Sequence, residues 1–390
     1  MKVLMMPCGI GMGHISRCIA IANKLSEKGA DVAFASYGSG YDMLIEARAY
    51  KTVKLPDIKF YGNGGELDIK HTAKKSLDAP FILLRSIYHE SKIIKNFKPD
   101  VIVADSHYSV PITSKVLGIP CILITNELTL DFSKLYPDEK PIEYLENGLK
   151  RFITDVSGLC NAILIPDIEN SIEIPPKLQK ISRFTGPILK NMPDEIANKE
   201  EIRKKFGLNI IDKIILITVG GSEFGKKLLK FICDASEDIE CDKIVIVSGP
   251  QIEFDFNYNS DKIIKMKFID NMMEWMSISD LVISLAGHTT TMELASLGIP
   301  SILVPIDNHP EQTKNAANME NYEISIINNL KYLNPKDFAA NINSALADEN
   351  LKKNAELVKK KFSMYNGTEK VIEIISNYAL SSVYANKTLF

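Results

Sequence analysis

The sequence predicts an α/β protein made of two doubly wound, Rossmann-like parallel sheets facing a central cleft. Three observations carry this expectation. Short apolar runs alternate with helical patterns in both halves, a stretch rich in proline, glycine and charge separates the halves, and 390 residues exceed what one hydrophobic core usually covers. In the first half "KVLMMP" (2–7), "DVAFAS" (31–36), "DVIVAD" (100–105) and "PCILIT" (120–125) read as strands, because a strand covered on both faces is apolar nearly throughout. A helical pattern over 16–28 lies between the first two. The second half repeats the theme with "KIILITV" (213–219), "KIVIVS" (243–248), "KIIKMKF" (262–268), "DLVISL" (280–285) and "SILVPI" (301–306), alternating with helices near 224–236, 270–277, 289–297 and 311–320. The expected division is a first domain over 1–186, a linker over 187–205, a second domain over 206–334, and a lysine-rich helical tail over 335–390 that packs back toward the first domain.

With 45% hydrophobic and 24% charged residues each half can bury a core, and a formal net charge of −3 gives no global attraction to nucleic acid. Six scattered cysteines without a CxxC pair read as reduced core residues. Met1 leads straight into a strand rather than a signal-type apolar stretch, and no apolar run reaches the roughly 20 residues that cross a bilayer. A cytoplasmic protein is the expectation.

Ligands of open parallel sheets bind beyond the carboxyl ends of the strands, and the motifs fall at such ends. The loop "CGIGMGHISR" (8–17) follows the first strand and opens a helix, and its three glycines, Gly9, Gly11 and Gly13, allow a tight turn and close backbone approach to a ligand. Its spacing departs from GxGxxG, and Ser36 and Tyr37 stand where an NAD site keeps an acid, so a dinucleotide is disfavoured. His14, at the positive end of a helix, suits a general base, or else it caps the turn. Asp105 at the end of "DVIVAD" either orients His14 or caps a helix starting near Tyr108; His107 is the weaker candidate.

In the second half the turn Gly220-Gly221-Ser222 offers N–H groups and a hydroxyl to a phosphate, or is a plain connection that happens to be glycine-rich. Lys226 and Lys227 follow Gly225 without the P-loop spacing. Phe268-Ile269 ends a strand where a flat base can pack. Glu293 lies one turn after Thr290 beyond the Gly287 turn, placed to accept from a ribose diol or simply solvated. Glu311 and Gln312 put an acid and an amide side by side for sugar hydroxyls.

"TVGGSEFG", "FIDNMMEW", "AGHTTTMELASLGIPSILVP" and "EQTKNA", in that order and after "GIGMGHISR", resemble a GT-B glycosyltransferase over nearly the whole chain. The C-terminal half is most similar to MurG-type peptidoglycan N-acetylglucosaminyltransferases and to UDP-glycosyltransferases. The resemblance implies that Gly220, Gly221 and Ser222 meet the donor diphosphate and that Phe268 and Ile269 meet the uracil, Ile269 through its backbone. It assigns the phosphates to Thr289 and Thr290 beside Gly287 and His288, the ribose to Glu293, and the donor sugar to Glu311 and Gln312. His14 is the implied base and Asp105 its assisting carboxylate. Departures are Leu285 where plant-type enzymes carry histidine, Lys190 in "TGPILK" where a TGNPVR-like segment has arginine, and Glu311 in place of the usual aspartate.

The implied activity is inverting, metal-independent transfer of a hexose or N-acetylhexosamine from a UDP-sugar to an acceptor hydroxyl. No DxD sequence occurs, and neither cofactor nor essential metal is expected. The partners are the UDP-sugar and an acceptor, lipid-linked or glycan. A nucleotide-sugar 2-epimerase and an inactive UDP-sugar-binding subunit are the alternatives. The segment 74–98 alternates apolar patches with Lys and Arg, which fits either a weak peripheral membrane contact at the inner face or a helix packing on its own sheet.

Overall fold

The computed structural model describes residues 1–57, 62–63, 66–67, 79–129, 131–133, 140–220, 223–249, 252, 260–269 and 271–387. The chain divides into two compact units, one of Met1–Tyr61, Asp68–Lys190 and Tyr365–Phe390, the other of Gly62–Leu67 and Asn191–Met364.

The first unit holds a parallel seven-stranded sheet. Its strands are β1 (Lys2–Pro7), β2 (Asp31–Ser36), β3 (Lys51–Lys54), β6 (Val101–Asp105), β7 (Cys121–Ile124), β8 (Ala162–Ile165) and β9 (Ser182–Phe184), in the order β3-β2-β1-β6-β7-β8-β9. The short pair β4 (Gly62–Asn63) and β5 (Glu66–Leu67) forms a separate antiparallel ribbon. Side chains alternate along a strand, and β1 shows what that means in a sheet covered twice. Val3 and Met5 pack with Ile15, Cys18 and Ile21 of α1 (Met12–Glu27) and with Val371 and Ile375 of the C-terminal helix. Leu4 and Met6 pack on the other face with Ile94 of α3 (Ala79–Phe97) and Val110 of α4 (Val110–Leu117). Both faces are dry, so the strand carries no polar alternation. α2 (Gly38–Ala47) and α5 (Lys140–Ser157) complete the helices of this unit's main segment.

The second unit repeats the topology with β10 (Ile214–Thr218), β11 (Lys243–Val247), β12 (Ile263–Met266), β13 (Leu281–Ser284), β14 (Ser301–Leu303) and β15 (Ser325–Ile327) in the order β12-β11-β10-β13-β14-β15, all parallel. Its helices are α6 (Lys199–Lys205), α7 (Lys226–Ala235), α8 (Met272–Ile278), α9 (His288–Leu297), α10 (Pro310–Asn321), α11 (Pro335–Ala347) and α12 (Glu349–Phe362).

Two boundaries differ from expectation. The proline- and charge-rich stretch ends in α6, which belongs to the second unit: Phe206 stacks on Trp275 with ring centroids 4.1 Å apart, and buried Arg203 donates to the carbonyls of Ile210 and Ile278. The helical tail is also divided. Phe338 and Ile342 of α11 and Leu351 of α12 enter the second unit's core, and only α13 (Gly367–Lys387) returns to the first, burying Val371, Ile372 and Ile375. The apolar positions of each helix decide this, because each stripe is buried against one sheet.

Candidate active site

Each sheet has one point where the chain reverses its direction of winding, between β1 and β6 in the first unit and between β10 and β13 in the second. Helices leave on opposite faces there, which opens a crevice at the carboxyl ends of the strands. In the first unit Pro7 pairs with Asp105 in register, and Cys8 N–H donates to the Asp105 carbonyl at 2.8 Å. The loop that follows passes so close to the start of α2 that a Cβ on Gly9 would lie 1.9 Å from the Tyr37 carbonyl oxygen. Gly40 N–H and Ser39 Oγ both donate to the Gly9 carbonyl. Held in this way, the loop delivers the chain to Gly11, the N-cap of α1, and thence to His14.

His14 Nδ1 lies 2.7 Å from Asp105 Oδ1, with the imidazole 20% exposed and the carboxylate fully buried. Asp105 does not cap a helix; Ser109 precedes α4. A second partner of Asp105 is Arg17, whose Nε donates to Oδ2 and whose Nη2 donates to Oδ1, and a third is the Cys18 thiol, which donates to Oδ2. The Arg17 guanidinium, 3% exposed, also reaches Asn126 Oδ1 at 3.3 Å, and its Nη2 lies 2.9 Å from His14 Nδ1. Burial by itself pushes the Asp105 carboxyl up, but the Arg17 guanidinium and then His14 outweigh it and hold it at about 2. Neither Arg17 nor Asn126 is a sequence-derived candidate. The signal for Arg17 was its place on the apolar stripe of α1, between His14 and the buried Cys18 and Ile21.

His107 is not part of this group. It is buried, its Nε2 is 3.4 Å from Glu90 Oε1, and burial lowers its basicity against the pull of that carboxylate. Glu90 also accepts from Ser109 Oγ at 2.5 Å and from Thr113 Oγ1, which ties α3 to α4. The outer face of α3 is a different matter, for Phe81, Leu84 and Tyr88 are 75%, 64% and 57% exposed.

In the second unit Thr218 and Ser284 lie side by side at the ends of β10 and β13. Gly220 turns left-handed at φ +69°, a conformation that lets the chain leave β10 sharply. Ala286 is left-handed as well, at φ +64°, which costs a residue with a Cβ about 1–2 kcal/mol. That bend sets Gly287 as the N-cap of α9, so the helix opens with its free N–H groups at the sheet's carboxyl edge. Thr289, Thr290 and Glu293 on its first turns are half-buried, whereas His288 is buried. Asn315 Nδ2 donates to the Ala286 carbonyl at 3.1 Å and joins α10 to this turn. Gln312 Oε1 accepts from Ile306 N–H at 2.9 Å, which fixes the amide, and Glu311 beside it is half-buried. Phe268 is half exposed and Ile269 half-buried beyond β12. Gly221, Ser222 and Asp270 lie outside the described residues.

A model of the glycosyltransferase family 28 C-terminal domain matches residues 214–371, and a model of glycosyl transferase family 1 matches residues 1–167. An uncharacterized glycosyltransferase of Methanopyrus kandleri is 27% identical over 84% of this chain and 92% of its own length. The UDP-N-acetylglucosamine–N-acetylmuramyl-(pentapeptide) pyrophosphoryl-undecaprenol N-acetylglucosamine transferase of Acetivibrio thermocellus is 24% identical, with 97% of this chain and 98% of its own covered. The crystal structure of Acinetobacter baumannii MurG is similar in fold, with a TM-score of 0.63 at 19% identity over 96% of this chain and 99% of that one. The chain is a GT-B fold glycosyltransferase, related to the MurG and UDP-glycosyltransferase superfamily.

For this glycosyltransferase the candidate residues sort into two groups by unit. Gly13, His14 and Asp105 gather at the β1–β6 switch point, and Gly220, Gly287, His288, Thr289, Thr290, Glu293, Glu311 and Gln312 gather at the strand ends of the second unit. Among the described residues, no three His, Cys, Asp or Glu side chains are grouped to hold a metal ion. No helix among them is long and apolar enough to cross a membrane.

Proposed function

We propose that this glycosyltransferase moves a hexose or N-acetylhexosamine from a UDP-sugar to an acceptor hydroxyl, with inversion and without a metal. The observation that carries the reading is the His14–Asp105 pair at 2.7 Å, beside the positive end of α1. When Nδ1–H donates to Asp105, the lone pair sits on Nε2, the atom left to act as base. His14 Nε2 takes the acceptor's proton as the hydroxyl oxygen attacks the anomeric carbon. The bond from that carbon to the diphosphate oxygen breaks on the opposite side, and UDP leaves with the electron pair. In the second unit the Gly220 turn, the first turn of α9 with Thr289 and Thr290, and Glu293 supply the donors and acceptor for diphosphate and ribose, and Glu311 and Gln312 meet the sugar. Backbone N–H groups and a helix dipole take the charge that a metal takes in other transferases.

Two features support a lipid-linked acceptor. The Acetivibrio relative acts by name on an undecaprenol-linked substrate, and the first half of α3 exposes Phe81, Leu84 and Tyr88 with Lys92 over the Tyr88 ring. If that face meets a bilayer, binding to anionic vesicles falls as salt rises; salt-independent indifference to vesicles removes the membrane contact. The deciding assay incubates the full chain with UDP-hexoses and UDP-N-acetylhexosamines, with and without a polyprenyl-diphosphate-linked glycan. UDP release that depends on the acceptor upholds transfer. A C2-inverted sugar formed without acceptor points to an epimerase, and binding without turnover to a donor-binding subunit.

A further inference from the structure

We propose that Arg17 is a positioning residue of this site, one that holds Asp105 in place and cancels its charge, so that loss of Arg17 favours the protonated form of His14. The inference rests on the reading of His14 as base and adds a third member to the pair. Arg17 is three residues after His14 on α1, so the two side chains leave the same face of the helix. The guanidinium fork engages both oxygens of Asp105, fixing the carboxylate plane and leaving Oδ1 directed at His14 Nδ1. Asn126 Oδ1 receives Nη1 and Nη2 from the far side, so the fork is itself held.

The charge balance follows. A buried carboxylate with histidine as its only partner favours imidazolium, because protonation turns a lone buried anion into an ion pair. Here Arg17 already neutralises Asp105, and protonation of His14 would add a second cation 2.9 Å from the first. Other titratable groups pack around the cluster, Glu127 among them, whose carbonyl accepts from the Tyr108 hydroxyl. The Cys18 thiol, 3.6 Å from Asp105 Oδ2, and the Tyr108 phenol are both pushed up by burial and stay neutral. Glu90 and His107 are engaged with each other and with Ser109 and Thr113. Arg17 thus withdraws the stabilisation that a lone buried carboxylate would give the protonated base.

The test reads His14 directly, by nitrogen-15 NMR titration of the imidazole in the full chain, with the signal assigned through His14→Gln. In Arg17→Gln, Asp105 keeps its charge and loses its neutralising partner, so the ratio of imidazolium to imidazole at pH 6 rises about tenfold or more. In Arg17→Lys, which supplies the cation without the fork, that ratio stays near the parent's while the rate of transfer at pH 8 falls. A ratio that is unchanged or lower in a folded Arg17→Gln chain overturns the proposal, and so does an Arg17→Lys ratio that moves as far as that of Arg17→Gln. Should Arg17→Gln not fold, an unchanged transfer rate in Arg17→Lys overturns the positioning role. The titration needs neither donor nor acceptor. Full transfer activity in His14→Ala would therefore remove the base reading without bearing on whether Arg17 sets the charge of the pair.

Discussion

The two units share a strand order and a switch point, yet they furnish it in opposite ways. At the β1–β6 switch the first unit buries charge: Asp105 at 0% exposure and Arg17 at 3%, with His14 at their edge. At the β10–β13 switch the second unit relies on backbone, through the left-handed Gly220 and Ala286, the opening turn of α9 and the half-buried hydroxyls of Thr289 and Thr290. A group that must gain and lose one proton needs its charge state set by close partners in low dielectric, whereas a diphosphate is held by many modest donors that need no net charge of their own. On the proposed reading, chemistry and donor binding are assigned to different units and should fail separately.

The sharpest attempt to break this contrast is Asp105→Asn, which keeps shape and removes charge. Transfer is expected to fall by about 10⁴, the order seen when a carboxylate behind a catalytic histidine is neutralised. Stability should fall by about 3–5 kcal/mol, since Arg17 is left buried without its anion. Steady-state rates and denaturant unfolding read the two effects, and a variant of parental stability and rate would end the account of the first unit. Next is His14→Ala, for which we expect a loss of transfer of about 10²–10⁴ with UDP affinity by calorimetry unchanged. A parallel loss of affinity would mean that the two functions are not separable.

Acid stability sharpens the comparison from the other side. The Asp105 carboxyl is depressed from 3.8 to about 2 in the folded chain, so its contribution is complete above pH 4 and is lost as pH falls toward 2. The depression corresponds to roughly 2 kcal/mol, read as a steeper loss of stability below pH 4 in the parent than in Asp105→Asn. The smallest effect is expected from Glu293→Ala in the second unit, a roughly tenfold weaker affinity for UDP with little change in fold. Unchanged affinity there would move the ribose contact off α9.

The inner strands of the second sheet, β1, β2, β6 and β7 of the first, and the positions of His14 and Asp105 were legible because they depend on local pattern, a dry apolar run followed by a turn. β8, the buried run "AILI", was missed although it fits that pattern; β3, β9 and β15 lay beyond it, because they are short and their side chains are only partly covered, so their composition does not distinguish them from loops. The apolar spacing of α11 was legible, but which sheet it covers was not. Arg17 and Glu90 escaped notice for a related reason. A charged residue in a helix usually faces water, and both face inward only because partners arrive from elsewhere, Asp105 to Arg17 across 88 residues and Thr113 to Glu90 across 23.

By itself, then, the sequence determined two parallel sheets and the strand ends where the candidate residues collect, since hydrophobic periodicity and turn residues act over a few neighbours. Only the tertiary structure decided that the pair at the first switch point is a trio. The cost of burying a charge depends on which opposite charge meets it, and that is settled when distant strands and helices pack.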